Sequence, residues 1–522
     1  MTPRHARACL PLSRSRILEF EMNLCYRKSC VGVVLAFACH AAVAQSNTDR
    51  DQFFWLGQIN KATAVINTDE GLLDRAKTPK IAAGLVKVLE DGAKPGAARP
   101  YRVVDFEPLL IRASGPDASL LHAGRSSQDM FATYRATIMR DNLLDLAEQL
   151  AKTSENLVRL SEKHAKTIVP NYTNGIAAQP NSLGHAWLGH AAGFERDAQR
   201  IREAYARIDR SPMGTTVLNG SSWPLNRTRM AHYLGFETIV DNAYDAAQIS
   251  SSEYPVEVAA IVTSIGLHAG HFIQDIMSQY GQVRPWIYLT PLRSVNTQVS
   301  SAMPQKQNPI LLTETRREIS TTLALAMGPV MRAHNITPGM QDPKEEKSNT
   351  EMVQSAVQFL KRMDRILNAL VVIPDRALEE LNSDWTASQE LADVLMRNYK
   401  VPFRAGHHFS SDIVKFAKQH NIKPLDFPYA EAKRIYKVAM KDVDPNAELP
   451  MSEKEFRSTL DPVAIVQNRT TVGGPQASEM TRMVALAKDK LKEQQNWTSA
   501  KRQKINQSMA QLETDFSKLL KP

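Results

Sequence analysis

Cysteine is confined to one end of this chain. All four, Cys9, Cys25, Cys30 and Cys39, fall within the first 44 of 522 residues. A chain starting at Gln45 has no thiol, which excludes disulfides and thiolate metal sites. Runs of alternating polar and apolar residues are scarce, which leaves a helical reading for most of the chain. Internal repeats and low-complexity tracts are absent. Positive charge is present but not concentrated. The formal charge is +9, and the first 44 residues supply +4 of it (six Arg/Lys less two Glu), leaving +5. With no dense basic tract, no nucleic-acid partner is expected, whereas an anionic substrate fits.

The N-terminus reads as an export signal. Arg27 and Lys28 precede the apolar stretch Val31 to Ala38, and Ala42-Val43-Ala44 offers small residues before Gln45. Charge, a short apolar run and a cleavage site are the parts of a secretory leader. Met22 is a more natural start than Met1. A lipoprotein anchored through Cys39 is the alternative, but Ala36-Phe37-Ala38 is a poor lipobox. The expectation is a chain cleaved after Ala44 and exported, periplasmic in a Gram-negative cell. The apolar run is too short to span a bilayer stably, and no stable membrane insertion is expected.

Beyond the leader, apolar residues recur at helical spacing. Met139, Leu143, Leu146, Leu150, Leu157 and Leu160 predict one long helix ending before Pro170. Val258, Ile261, Ile265, Ala269, Phe272 and Ile276 predict a second after Ser250, buried on most sides. Gly266 and Gly270 suit close helix approach. A third is expected from Pro309 to about Met327, before Gly328-Pro329. Long apolar helices of this kind imply a bundle. The stretch Gly281 to Val299 reads as a long connection of the kind that forms lids.

Three polar loops carry candidate chemistry. Ser300-Ser301-Ala302-Met303-Pro304-Gln305-Lys306-Gln307-Asn308-Pro309 gathers hydroxyls, an ammonium and a carboxamide able to surround a carboxylate. Asn308-Pro309 reads as a helix start, with Asn308 as cap. In His122 to Asp129, Gly124 permits close backbone approach, Arg125 and Ser126 can donate to an anion, and Asp129 reads as a helix cap. In Pro170 to Pro180, Thr173, Asn174 and Gln179 can hydrogen-bond a substrate, although alone this is a helix-to-helix connection. His185 and His190 read as packed, hydrogen-bonded residues. His407-His408 makes no metal site, since neighbours on a helix point apart. Neither a metal nor any other cofactor is expected.

The loop Ser300–Pro309, the third in chain order after the first at His122–Asp129 and the second at Pro170–Pro180, resembles the fumarase/aspartase superfamily signature, Gly-Ser-Ser-x-Met-Pro-x-Lys-x-Asn-Pro, with Val299 at the leading glycine. The other two loops resemble that superfamily's remaining signature regions, in the right order. The branch they resemble is argininosuccinate lyase, with His-Thr-Gly-Arg-Ser-Arg-Asn-Asp and Pro-Gly-Tyr-Thr-His-Leu-Gln-x-Ala-Gln-Pro. Ser211-Pro212-Met213-Gly214, Pro402-Phe403-Arg404 and Val472-Gly473-Gly474-Pro475 add to the likeness, which runs from about residue 55 to 490.

The resemblance implies an all-α, three-domain lyase with a long central bundle, assembled as a homotetramer whose sites draw on three subunits. Domains are expected at 45–130, 131–395 and 396–522. It implies β-elimination of fumarate from a succinyl group, a polycarboxylate substrate, Ser300 as base and Lys306 beside it. Arg125, Ser126, Gln128, Thr173, Asn174, Gln179, Ser301, Asn308, Gln341 and Lys344 are the implied substrate contacts. Four departures stand out. The family's histidine is Asn174 and its glutamate partner falls at Thr313. An arginine is replaced by Ser127, which lacks bidentate charge. A substrate-holding tyrosine falls on Ile336. Val299 replaces glycine. These changes point away from argininosuccinate and towards another N-substituted aspartate. The alternatives are carbon–oxygen elimination or cycloisomerisation on the same scaffold, or a non-catalytic carboxylate-binding homologue.

Overall fold

Apolar residues three and four apart decide most of the architecture. The computed structural model describes residues 50–521; the expected leader and its cleavage site lie outside the described residues. Helices α1 (Gln52–Asp69), α2 (Thr78–Ala93) and α3 (Val103–Ser114) open the chain. Then comes α4 (Ser127–Lys163), followed by a hairpin of β1 (Ile168–Thr173) and β2 (Ile176–Ser182) that turns the chain into α5 (Leu183–Ile208). Short pieces follow: β3 (Arg210–Ser211), α6 (Arg227–Tyr233) and β4 (Thr238–Ile239). The bundle is completed by α7 (Ser250–Gln279), α8 (Ile310–Ala333) and α9 (Glu346–Ala369).

The expected stripes are the buried ones. Leu143, Leu146 and Leu150 of α4 and Val258, Ile265 and Ala269 of α7 are fully buried. The segment Asp245–Gln279 is long and apolar enough to cross a membrane, but half of its most apolar window is buried inside the protein. Cross-helix pairs fix the directions. His190 meets Asp275, Asp197 meets His268 and Arg207 meets Glu257, so α5 and α7 run antiparallel. Asn142 meets Thr350 and Gln149 meets Asp364, so α4 and α9 run parallel. Thr322 meets Ser355 while Arg362 meets Glu314, so α8 and α9 are antiparallel.

The third helix runs past its expected end. Gly328 and Pro329 lie inside α8, which continues to Ala333. A mid-helix proline costs about 3 kcal/mol. Burial of Ala326 and Pro329 and the bond from Arg332 to Asn349 of α9 offset it. The connection from 281 to 299 is pinned, not loose. Its β5 (Ile287–Leu289) pairs with β8 (Leu370–Val372) just past α9, and Trp286 is buried. Between β5 and α8, β6 (Gln298–Val299) and β7 (Gln307–Asn308) form a small antiparallel hairpin.

The remaining helices are α10 (Pro374–Ser383), α11 (Ser388–Tyr399), α12 (Phe403–His420), α13 (Tyr429–Ala439), α14 (Glu453–Ser458), α15 (Pro462–Gln467) and α16 (Ala477–Lys518). A second core from Trp385 to Leu460 centres on Phe409, Phe427 and Phe456. Helix α16 leaves it and returns to the main core through Met480, Val484, Ile505, Leu512 and Phe516. Arg502, reaching Asp145 and Glu148, ties α16 along α4.

The join between α4, the hairpin and α5 is tight. A Cβ on Gly184 would stand 2.2 Å from the Ser161 carbonyl oxygen and 2.8 Å from the Ala165 Cα, both backbone atoms. Gly184→Ala is therefore expected to lower stability by about 1–3 kcal/mol, as overpacking does. Urea unfolding measures this, and an unchanged midpoint would contradict the close approach.

Candidate active site

The third loop is a hairpin tip, and its backbone is aimed at one hydroxyl. Ser300 Oγ accepts the N–H of Ala302 at 3.3 Å and of Met303 at 3.1 Å. The Ser300 N–H donates to the Lys306 carbonyl and the Lys306 N–H to that of Met303, both at 3.0 Å, which closes the tip. Two N–H groups converging on an oxygen stabilise its anion, as in an oxyanion hole. Asn308 donates to the Gln298 carbonyl at 3.3 Å and does not cap the helix; Pro309 occupies the cap position of α8. The expected loop running into a capped helix is therefore a β-hairpin followed by a helix. Ser301 and Lys306 are exposed. Val299 sits in strand pairing with Gln307, a position that suits a β-branched residue and needs no glycine.

The second loop is also a hairpin. Asn174 and Gly175 take φ of 52° and 78°. Two consecutive positive φ values make the type I′ turn that Asn-Gly prefers. That dipeptide was the available signal for a hairpin where a helix-to-helix connection was expected. Thr173 and Asn174 are exposed at the tip, while Gln179 donates to Gln389 of α11 at 2.6 Å. Tyr172 anchors the base: its hydroxyl donates to Glu380 and accepts from Trp286 Nε1 at 3.2 Å. Burial and the Glu380 carboxylate push this phenol up to about 12. Glu380 and Trp286 were not among the expected site residues.

The first loop starts α4. Ser126 caps it in a capping box with Asp129. The Asp129 carboxylate is wholly buried and accepts N–H groups from Ser126, Met130, Gly214 and Thr216 at 2.9 to 3.1 Å. Burial pushes it up to about 6 against the pull of those donors. The expected cap is thus also a clamp on the Met213–Thr216 turn. Arg125 faces the core instead of an open loop. It is 8% exposed and donates to Asn60 at 3.0 Å and Thr63 at 3.1 Å on α1. Its guanidinium ties two helices together, a correction to the carboxylate-binding expectation within one chain. Ser126 and Gln128 stay half-buried beside it.

Gln341 and Lys344 lie at this same end. Arg135 of α4 donates to Gln341 Oε1 at 2.8 Å. Lys344 is 2% exposed and donates to the Ala247 carbonyl at 3.0 Å and to Gln248 at 3.3 Å. The Ser300 loop sits at the opposite end, between the end of α7 and the start of α8, where α4 finishes. The 37 residues of α4 hold the first and second loops about 55 Å apart at 1.5 Å per residue. Among the described residues, no hydrogen bond or ion pair joins Ser300–Asn308 to either of the other loops. Among the described residues no cluster of metal-ligating side chains occurs.

Comparisons agree with this layout. Residues 115–322 match the family described as lyase, and residues 385–467 match that described as argininosuccinate lyase C-terminal. The second match spans the separate Trp385–Leu460 core. Argininosuccinate lyase of Methanosarcina acetivorans is 27% identical over 448 residues, covering 84% of this chain and 87% of that one. That of Methanococcus maripaludis is 26% identical over 469 residues, covering 87% and 90%. In structure, EDDS lyase in complex with formate superposes with a TM-score of 0.81 at 23% identity, over 91% of this chain and 92% of that one. The 3-carboxy-cis,cis-muconate lactonizing enzyme of Pseudomonas putida gives 0.61 at 18%, over 86% and 96%. At these identities the structural likeness speaks for the fold.

The clamp at Asp129 generates a test. Asp129→Ala removes half of the capping box and leaves the buried N–H groups of Gly214 and Thr216 without an acceptor. A loss of about 3 kcal/mol is expected in urea unfolding. A loss below about 1 kcal/mol would mean that the turn is held by something else.

Proposed function

The chain belongs to the fumarase/aspartase superfamily and is a carbon–nitrogen lyase of the argininosuccinate lyase kind, and we propose that it releases fumarate and an amine from an N-substituted aspartate other than argininosuccinate. The observation that carries this reading is the Ser300 hydroxyl cradled by two backbone N–H groups. A serine hydroxyl is a poor base until its alkoxide is stabilised, and these donors, with the exposed ammonium of Lys306 on the same tip, supply that stabilisation. Ser300 takes the proton from the carbon beside a carboxylate. The electron pair left on that carbon forms the double bond, the carbon–nitrogen bond breaks, and nitrogen departs with its bonding pair. Ser300 then returns its proton to solvent.

Asn174 in place of the family histidine is compatible with elimination of an amine. Alkylamines titrate near about 10 and α-amino groups near about 8, so a substituted aspartate arrives with its nitrogen already protonated. It leaves as a neutral amine with no proton donor required. The residues expected to contact substrate are Ser126, Gln128, Thr173, Asn174, Gln179, Ser301, Asn308, Gln341 and Lys344. They lie at two ends of one protomer, so we take the site to be assembled between copies in a homotetramer. The outer side of α7 supports this. Ala260, Leu267 and Gln274 stay exposed at heptad spacing, and a Cβ at Gly270 would meet nothing within 4 Å. We also take the enzyme to be exported, on the leader-like residues 1–44, which suits scavenging of an external substrate.

Two measurements test the proposal. Fumarate, followed by ultraviolet absorbance, is expected from a panel of N-substituted aspartates and to fall about a thousandfold in Ser300→Ala. Retained activity in that variant would remove Ser300 as base, and argininosuccinate as the best substrate would remove the specificity claim. For assembly, Ser300→Ala and Gln128→Ala each impair turnover, and co-refolding the two is expected to restore part of it. Their lesions lie at opposite ends, so some sites in a mixed tetramer receive both intact ends. A mixture no better than its components would refute shared sites.

A further inference from the structure

Apart from the lyase reading, we propose that the crevice between α4, α5 and α16 binds one straight-chain fatty acid, its carboxylate at Lys490 and Gln494 and its chain running towards Arg482.

Small residues on α5 create the space. Gly189, Ala191, Ala192 and Ala198 line the gap, with Ala151 and Val158 of α4. Helix α16 is held from closing onto them, because it is braced along the gap. His185 Nε2 donates to the Gly473 carbonyl at 2.8 Å, just before α16 begins. Lys488 meets Glu162 of α4 at 2.7 Å. Further along, Arg202 of α5 meets Glu493 at 2.9 Å and Tyr205 packs edge-on to Trp497. A volume of about 420 Å³ stays open among these braces. That lies within the range of small-molecule sites and far above the voids of a close-packed interior. No residue of α7, α8 or α9 lines it, so the side of α7 proposed to join copies lies elsewhere.

Length and lining select the class of ligand. From Arg482 to Gln494 the crevice follows α16 for about 18 Å at 1.5 Å per residue. Met483, Leu486, Ala487 and Leu491 of α16 and Leu188 of α5 make its walls apolar. A long apolar crevice suits an extended hydrocarbon chain.

The two ends differ in what they can hold. At one, Arg482 is bound to Glu479 at 2.6 Å. His185 there gives its Nε2 proton to a carbonyl, so its Nδ1 can only accept. Neither is free to hold an anion. At the other end Gln494 is 5% exposed, and its side-chain nitrogen has no hydrogen-bond partner. Lys490, four residues earlier and so on the same face, pairs with Glu493 at 3.6 Å. Arg202 holds that carboxylate more closely, at 2.9 Å. An amide donor without an acceptor beside an incompletely neutralised ammonium fits a carboxylate. Glu195, the acid that lines the α5 side, lies seven residues before Arg202 and so about 10 Å from that end.

The test titrates the full chain with dodecanoate by isothermal calorimetry. Saturation at one molecule per protomer is expected. Octanoate should bind about a hundredfold more weakly, at about fourfold for each methylene lost. Dodecanol, which keeps the chain and lacks the charge, should bind about tenfold more weakly, and Lys490→Met should bring the acid and the alcohol close together. Ala192→Phe fills the crevice. Leu486→Glu places a charge on its wall at a side chain that is 51% exposed, and so spares the core. Each is expected to weaken dodecanoate by about tenfold or more. Absence of saturable binding overturns the proposal, as does binding that survives both substitutions. Dodecanol binding as tightly as dodecanoate overturns the fatty acid as ligand.

Discussion

The length of α4 sets the terms for everything else. Its 37 residues hold Ser126 and the Thr173–Asn174 tip about 55 Å apart, while the substrate of a fumarate-releasing lyase spans only a few ångströms. Rigidity makes this distance binding. Both flanks of α4 are packed, by α5 and α9 in the bundle and by α16 through Arg502. Bending the helix to bring its ends together would break that core. Within one protomer the loops at the two ends of α4 therefore stay apart, which is why shared sites are proposed above.

At each end of α4, buried polar groups position the loops. Asp129 draws four backbone N–H groups onto one carboxylate and so fixes the start of α4 against the Met213–Thr216 turn. Tyr172, held between Glu380 and Trp286, fixes the base of the second hairpin. Strand pairing of Gln298–Val299 with Gln307–Asn308 fixes the Ser300 tip. The exposed residues at these tips thus ride on anchored backbone. Asn174 and Val299, which depart from the family pattern, fit the turn and strand in which they stand.

Much of this was legible beforehand. The stripes of α4 and α7 were visible because burial of one helix face imposes a period of 3.6. Ser300, Lys306 and Asn308 stand out as candidates because the motif that holds them resembles a family signature. The Ser300 hairpin is not legible because its two-residue strands are too short to show alternation, whereas the longer β1–β2 hairpin carries a usable sign in Asn174-Gly175. The end of α8 was misplaced because Gly328-Pro329 is a local stop signal, and packing against α9 overrode it. That Arg125 turns towards Asn60 and Thr63 is not legible, because a sequence lists an arginine without saying which way it points.

The sequence by itself determined the helical class, the family and the chemical groups available, since these follow from periodicity and residue identity. Which of those groups face solvent and which end of the bundle each occupies were decided only by the tertiary structure. Such facts depend on contacts between residues hundreds of positions apart, such as Arg135 with Gln341 or Tyr172 with Glu380. Local pattern holds no record of those contacts, because they arise only when the helices pack.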